Sequence, residues 1–363
     1  MFFAQIPTEL ILFSILYGGA AVAAVIACIY LCLRKGNAFA ADVTPPVSLR
    51  RWAAAFFAVA FLGHVWWYLF AIYSSDIHSV SCLVVAVIDS MSLLTTIVGT
   101  LLAMLQDRKR SVWPFIIATI PYVVLLVLNV VYPNGHFIEI AIAYILLLYV
   151  IFSIYMVFAV RQYGRWLRDN YADLEHKEVW VSHVLVIVIL LFIIIYGFDT
   201  GNLTIAYLVQ FIDLILFGLL LWRVETLPQL ETQLENIPVK QRVQQSLVIP
   251  SNIEQLLAER CVGTQLYLQH DLTLQQLAQA VGTNRFYLSQ YFSRQGTTYN
   301  AYINDLRINH FMSLYREATA AQQPVTAQQL ASDSGYRSYS TFSLAFKQRM
   351  GQSVTTWMRE TAK

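Results

Sequence analysis

The chain has 363 residues, 57% of them hydrophobic and 13% charged, with a formal net charge of +2. A soluble globular domain carries about a quarter charged residues, so a wholly water-soluble chain is excluded, and so small a net charge gives no bulk electrostatic case for a polyanionic partner. Apolar residues fill long runs as far as Trp222, whereas Glu, Gln, Arg, Ser and Thr dominate from Glu225 onward, which marks a domain boundary.

In chain order, hydrophobic runs lie at about 8–33, 51–74, 77–105, 112–132, 136–160, 179–199 and 202–222. Each is long enough to cross roughly 30 Å of hydrocarbon, which takes about 20 helical residues. Seven membrane spans are predicted. The first has no basic segment before it, is too long for a cleaved signal and is followed by Arg34 and Lys35, so it is expected to remain in the mature protein.

Orientation follows from the basic residues, which favour the cytoplasmic side in short loops. Arg34, Lys35, Arg50 and Arg51 follow span one, Arg108, Lys109 and Arg110 follow span three, and Arg161, Arg165, Arg168 and Lys177 follow span five. The N-terminal segment, Ser75–Ile77, Pro133–His136 and Asp199–Gly201 hold none. The expected arrangement therefore has the N-terminus outside and the C-terminal half in the cytoplasm.

The outer loops are too short to hold a separate sensor domain, so any external signal must be read by the bundle itself. Ionisable side chains within hydrocarbon are costly unless paired, and their partners face the bundle interior. His64, Asp89 and Asp213 fall near mid-depth in spans two, three and seven. They form a candidate sensing cluster in which His64 pairs with Asp89 or Asp213; an interhelical hydrogen-bond group that only fixes packing is the alternative. Trp66, Trp67, Tyr68 and Tyr73 read as an interfacial aromatic belt. Pro114 and Pro121 read as a cap or kink in span four.

From residue 223 to 250 the sequence is rich in Gln and Glu and is interrupted by Pro228, Pro238 and Pro250, so no continuous rod is expected. Leu227, Leu230 and Leu234 have the spacing of a short amphipathic helix, which could dimerise the protein or lie on the membrane surface.

The tail repeats one pattern. Thr273 stands three residues before Gln276 and Thr326 three before Gln329, the spacing of a capping box. Leu277, Ala278 and Gly282 recur 53 residues later as Leu330, Ala331 and Gly335. Leu288 and Phe292 recur at 54 as Phe342 and Phe346, each pair at i, i+4 on one helix face. Two helices separated by a glycine turn, twice over, describe two helix-turn-helix units whose second helices enter the major groove of DNA. The outward residues are Asn284, Arg285, Ser289, Gln290 and Arg294 in the first unit, and Arg337, Tyr339, Ser340, Ser343 and Lys347 in the second. Arg can pair with guanine and Gln or Asn with adenine, while Lys and Ser also serve phosphates.

On LTLQQLAQAVGTNRFYLSQYF, YINDLRI and GYRSYSTFSLAFKQRMGQS, residues from about Ile253 to Met358 resemble the DNA-binding domain of AraC/XylS-type regulators. The resemblance implies a linker helix at about Tyr299–Ala318 between the two units and recognition helices in successive major grooves of one face of DNA. The sequence departs from the family's pattern at Phe311, Leu344 and Val354.

The expected architecture is all-α: a seven-helix transmembrane bundle over 1–222, a linker over 223–250 and a double helix-turn-helix domain over 251–363. The expected function is a one-component transcription regulator of the bacterial inner membrane, with double-stranded DNA and the lipid bilayer as partners, an unknown small ligand or membrane partner as stimulus, and a possible homodimer. The alternative is a transporter or channel with a regulatory tail. Cys28, Cys32, Cys82 and Cys261 have no metal-type spacing, and no HExxH or GxSxG motif is present, so neither metal, cofactor nor enzymatic activity is expected.

Overall fold

A computed structural model of the chain describes residues 8–33, 44–73, 80–132, 136–174, 177, 179, 180, 184, 203–230 and 252–361. The chain folds as two units, one of Met1–Arg161 with Val179–Thr232, the other of Gln162–Glu178 with Gln233–Lys363. The described residues are helical apart from turns and one isolated antiparallel bridge between Tyr171 and Thr273.

The first unit contains α1 (Thr8–Leu33), α2 (Val47–Tyr73), α3 (Val80–Ala103), α4 (Trp113–Ala118), α5 (Ile120–Val131), most of α6 (Phe137–Asn170) and α7 (Leu203–Thr226). Among the described residues five stretches, Thr8–Leu33, Val47–Phe70, Trp113–Val131, Phe137–Asn170 and Leu203–Thr226, are long and apolar enough to cross a membrane, and Val87–Ala103 is a shorter apolar helix. Six of the seven hydrophobic runs thus fall on described helices. The run at 179–199 lies outside the described residues, apart from 179, 180 and 184.

The packing of α1, α2, α3 and α7 follows from side-chain size. α1 buries Ala20, Ala24, Ala27 and Leu31, a stripe at intervals of three and four that lets α2 approach closely. α2 turns Leu49, Ala53, Phe56, Phe57 and Ala60 inward, and its Phe57 ring meets Phe217 of α7 at 5.5 Å. Gly63 is required where α2 meets α3: a Cβ there would stand 2.7 Å from Asp89 Oδ1. The outward faces carry exposed Ile15, Ile26, Ile88, Ile151 and Phe211, surface that water would not support at this density. The fourth run is broken at Thr119, with Pro114 and Pro121 each in the first turn of a helix, as proline's missing N–H favours.

The start of the linker does not form the expected amphipathic helix. α7 ends at Thr226, and Leu227 and Leu230 are buried in irregular chain. Gln106 explains this, since its amide donates to the Pro228 carbonyl at 2.9 Å and accepts from the Leu230 amide at 2.8 Å. Leu227 and Leu230 are therefore core residues of this unit rather than a free dimerisation stripe; Leu234 lies outside the described residues.

The second unit contains α8 (Ile253–Leu257), a π-helical turn at Ala258–Val262, α9 (Leu274–Val281), α10 (Arg285–Arg294), α11 (Tyr299–Ala320), α12 (Ala327–Asp333), α13 (Tyr339–Met350) and α14 (Val354–Thr361). It has two cores, both fed by α11. Tyr299 and Ile303 pack with Leu277, Ala278, Leu288 and Phe292; Ile308, Phe311 and Tyr315 pack with Leu330, Ala331, Phe342, Phe346 and Trp357. Phe311, where the related family has a small residue, is fully buried with its ring 4.4 Å from Phe342 and 5.8 Å from Phe346. Val354, another departure, is buried at the start of α14.

Gln162–Glu178 was assigned by sequence to the membrane half, yet it belongs to this second unit. Ala172 is part of the first core, and burial of its apolar methyl together with backbone pairing outweighs the charged composition of the segment.

Candidate nucleic-acid interface

Each helix-turn-helix unit is built by the same local devices. Thr273 Oγ1 accepts from the Gln276 amide at 3.2 Å while Gln276 Oε1 accepts from the Thr273 amide at 2.8 Å, the reciprocal pair that satisfies two orphan donors at a helix start. Thr326 accepts from the Gln329 amide at 3.2 Å. Gly282 and Gly335 take φ of +81° and +88° in the turns. At Gly335 a Cβ would also lie 2.7 Å from the Leu268 carbonyl oxygen, so the second turn needs glycine for space as well as conformation.

The change of offset from 53 to 54 is one added residue in the second turn. The first recognition helix is capped by Asn284, two residues after Gly282; the second is capped by Ser338, three after Gly335. Arg285 is therefore the first residue of its helix, whereas Arg337 lies in the turn before its helix. Asn284 Oδ1 accepts from the Tyr287 amide at 2.9 Å, so this candidate base reader is occupied as a helix cap.

The two sets of candidate residues differ in access. Arg337, Tyr339, Ser340 and Lys347 are exposed and Ser343 half-buried, whereas Asn284, Arg285, Ser289 and Gln290 are half-buried and Arg294 exposed. Burial lowers the proton affinity of the Arg285 guanidinium, and the charges of Tyr171 and Asp169 raise it again. Arg337 is held by Asp271, 3.3 Å from Nη2 to Oδ2. Two apolar side chains that sequence reasoning left out of the site also stand on the recognition helices, Phe286 at 69% exposure and Leu344 at 61%. Leu344, a departure from the family's usual basic or polar residue, thus points outward and not into the core. An exposed apolar group there suits the thymine methyl of the major groove.

A buried arginine fixes the spacing of the units. Arg307 of α11 is 1% exposed, donating from Nε to the Tyr267 carbonyl at 2.7 Å and from Nη2 to the Gln269 carbonyl at 2.6 Å. Its guanidinium lies over the Tyr336 ring at 5.5 Å, so the chain before the first unit and the turn of the second meet on one side chain. Sequence reasoning missed it because an arginine in a linker helix looks like a solvated one.

In the hydrophobic unit, His64 is 8% exposed but does not pair directly with Asp89 or Asp213. Its Nε2 faces Gln210 Oε1 at 3.1 Å and its Nδ1 faces the Ala60 carbonyl at 2.8 Å. Asp89 instead accepts from Trp67 Nε1 at 3.0 Å, so Trp67 turns inward while Trp66 and Tyr68 are exposed. Tyr17 donates to the His64 carbonyl at 2.8 Å and its ring sits 4.7 Å from the imidazole. The physical reason for the correction is that a buried imidazole can be satisfied by a neutral amide without a desolvated ion pair. With Nδ1 donating to Ala60, the Gln210 side chain completes the partners of the ring.

Residues 277–360 match the family described as a helix-turn-helix domain, of AraC type, a stretch that begins within α9 and takes in both recognition helices, α10 and α13, entirely. No curated protein and no solved structure matches the chain. The C-terminal region is thus an AraC-type helix-turn-helix domain, and the long apolar helices suggest a membrane-associated chain that carries it.

Proposed function

We propose that the chain is a membrane-anchored one-component transcription regulator, in which a stimulus read by the hydrophobic bundle alters the engagement of the tail with promoter DNA. The observation that carries this reading is the presence, in one chain, of five helices able to cross a membrane and of two capped helix-turn-helix units with outward-facing Arg, Lys and Ser. Seven spans with the N-terminus outside would leave the tail in the cytoplasm of a bacterial inner membrane, consistent with the eleven basic residues after spans one, three and five.

Arg285, Arg294, Arg337 and Lys347 would neutralise phosphates or read guanine, with Ser289, Gln290, Tyr339, Ser340 and Ser343 completing the contact surface and Asn284 shaping it. His64 with Gln210, and Asp89 with Trp67, would form the sensing cluster, joined by Asp213. Any stimulus must bind two states of that bundle unequally, because only differential affinity shifts an equilibrium. A dimer held in one membrane would bring two tails to neighbouring sites by effective concentration alone.

The test is selection of duplexes from a random-sequence pool by the full chain in lipid nanodiscs. Enrichment of one motif, lost on Arg337→Ala with Lys347→Ala, is expected; a pool that stays random after repeated rounds at low salt contradicts the reading.

A further inference from the structure

The chain beyond the fifth hydrophobic run is built into the DNA-binding unit. α6 is one helix from Phe137 to Asn170, and its last turns belong with the tail. Directly after it, Tyr171 bridges to Thr273, the cap of the first helix-turn-helix unit, and the Ala172 amide donates to the Leu272 carbonyl at 3.3 Å. Asn300 of α11 then clamps the same two residues, donating from Nδ2 to the Tyr171 carbonyl at 3.1 Å and to the Ala172 carbonyl at 2.7 Å. Ala172 and Asp173 are buried.

The clamp continues along one face of α11. Asn304, one turn on, donates to Asn300 Oδ1 at 3.0 Å and accepts from the Tyr336 hydroxyl at 2.9 Å. The bonds of this ladder run in one direction, from the Tyr336 hydroxyl through Asn304 and Asn300 to the strap, and its far end is the residue before Arg337. Lys177 reaches the same place by another route, sharing Asp271 with Arg337 at 3.8 Å and 3.3 Å. Arg337 thus has the Asp271 carboxylate at 3.3 Å, and the Asp169 carboxylate lies near enough to Arg285 to raise the proton affinity of its guanidinium.

We propose that the strap formed by residues 169–174, with Lys177, is an intramolecular docking element for the first helix-turn-helix unit, which masks Arg285 and restrains the tail until DNA displaces it. The proposal rests on the DNA-binding reading above. The occupant of this face is the chain's own strap, argued from the backbone pairing at Thr273 and Leu272 and from the half-buried state of Asn284, Arg285, Ser289 and Gln290 beside the exposed Arg337, Tyr339, Ser340 and Lys347. Asp169 holds a negative charge where Arg285 would otherwise receive phosphate. The ladder through Asn300 and Asn304 carries a change at the strap to the turn of the second helix-turn-helix unit. If instead exposed Arg165 and Arg168, on the last turns of α6 ahead of the strap, add contacts to DNA, the sign is the opposite.

The experiment measures affinity of the full chain in phosphatidylethanolamine–phosphatidylglycerol nanodiscs for the fluorescent duplex best enriched from a random pool. Asp169→Asn, which removes one half-buried charge, and Asn300→Asp, which turns a carboxylate against two carbonyl oxygens, are each expected to tighten binding by at least about fivefold, the lower end of ordinary coupling between sites. Unchanged or weaker binding by Asp169→Asn, with the wild type bound, overturns the docking proposal and leaves DNA binding standing. Failure of the wild type and both variants to enrich any duplex removes the DNA-binding reading, and the proposal with it.

Discussion

Arg307 donates to the Tyr267 carbonyl from a site with almost no solvent access, so a charged side chain in the linker helix holds the chain that leads into the first helix-turn-helix unit. A fork of guanidinium donors can serve the Tyr267 and Gln269 carbonyls at once, which a lysine ammonium on a flexible stem reproduces poorly. Arg307→Ala would strand those acceptors, at about 1–3 kcal/mol for each buried group left unmade. Thermal unfolding of the full chain, followed by the far-ultraviolet signal of the tail, should show a clear loss for Arg307→Ala and partial recovery for Arg307→Lys. A variant as stable as the parent would contradict this role.

Asn284 tests the difference between a cap and a reader. Removing an N-cap acceptor costs about 1 kcal/mol, and a serine substitute restores most of it. Asn284→Ala should therefore lower stability while Asn284→Ser does not, and the selected duplex should keep its sequence preference in both. Changed base preference with unchanged stability would make Asn284 a base contact.

For the exposed cations, the expected signatures differ. Arg337→Ala should cost about 1–3 kcal/mol and relax preference at one base pair if the residue is bidentate to guanine, whereas Lys347→Ala should weaken all duplexes alike and reduce the salt dependence by about one phosphate contact. Binding isotherms across a salt series separate the two. Equal effects on every duplex from both variants would assign Arg337 to the phosphates.

Cys261 is fully buried, and burial pushes its thiol up to about 11. At pH 8 almost none of it is thiolate, and the thiolate is the reactive form. Alkylation of Cys261 by iodoacetamide, followed at that residue by mass spectrometry, should therefore be slow in the folded chain and become fast on denaturation. Rapid labelling of Cys261 in the native chain would show that the first core opens readily.

Within the hydrophobic unit, His64→Ala and Gln210→Leu should alter a reporter's response to stimulus and leave the affinity of the chain for its duplex unchanged, because neither side chain belongs to the tail. Responses unchanged by both would assign the cluster to packing alone.

Hydropathy and helix punctuation are local properties, which is why much of this fold is legible in the sequence. The apolar runs, the capping pair at Thr273 and Gln276, and the glycine turns at 282 and 335 all depend on residues within one turn of each other. The single-residue difference between the repeats also anticipates the longer turn that carries Arg337. Long-range polar partners are another matter. Gln210 stands 146 positions from His64, is neutral, and gives no signal as its partner. Asn300 and Asn304 look like ordinary solvated helix positions, and only their spacing of four hints at a shared face. The stretch after span five reads as a loop because Arg161, Arg165, Arg168 and Lys177 stand out in its sequence, whereas the docking of the strap depends on Ala172 and on backbone groups that composition does not reveal.

The central claim, that an intact membrane protein binds specific DNA, is tested most directly by crosslinking the full-length chain in living cells and sequencing the bound DNA. The account predicts discrete peaks that share two half-elements about one helical turn apart, recovered from the membrane fraction and lost in an Arg337→Ala, Lys347→Ala double variant. Membrane-fraction DNA with no enriched sites under several growth conditions, from a chain shown to be present and folded, would contradict it.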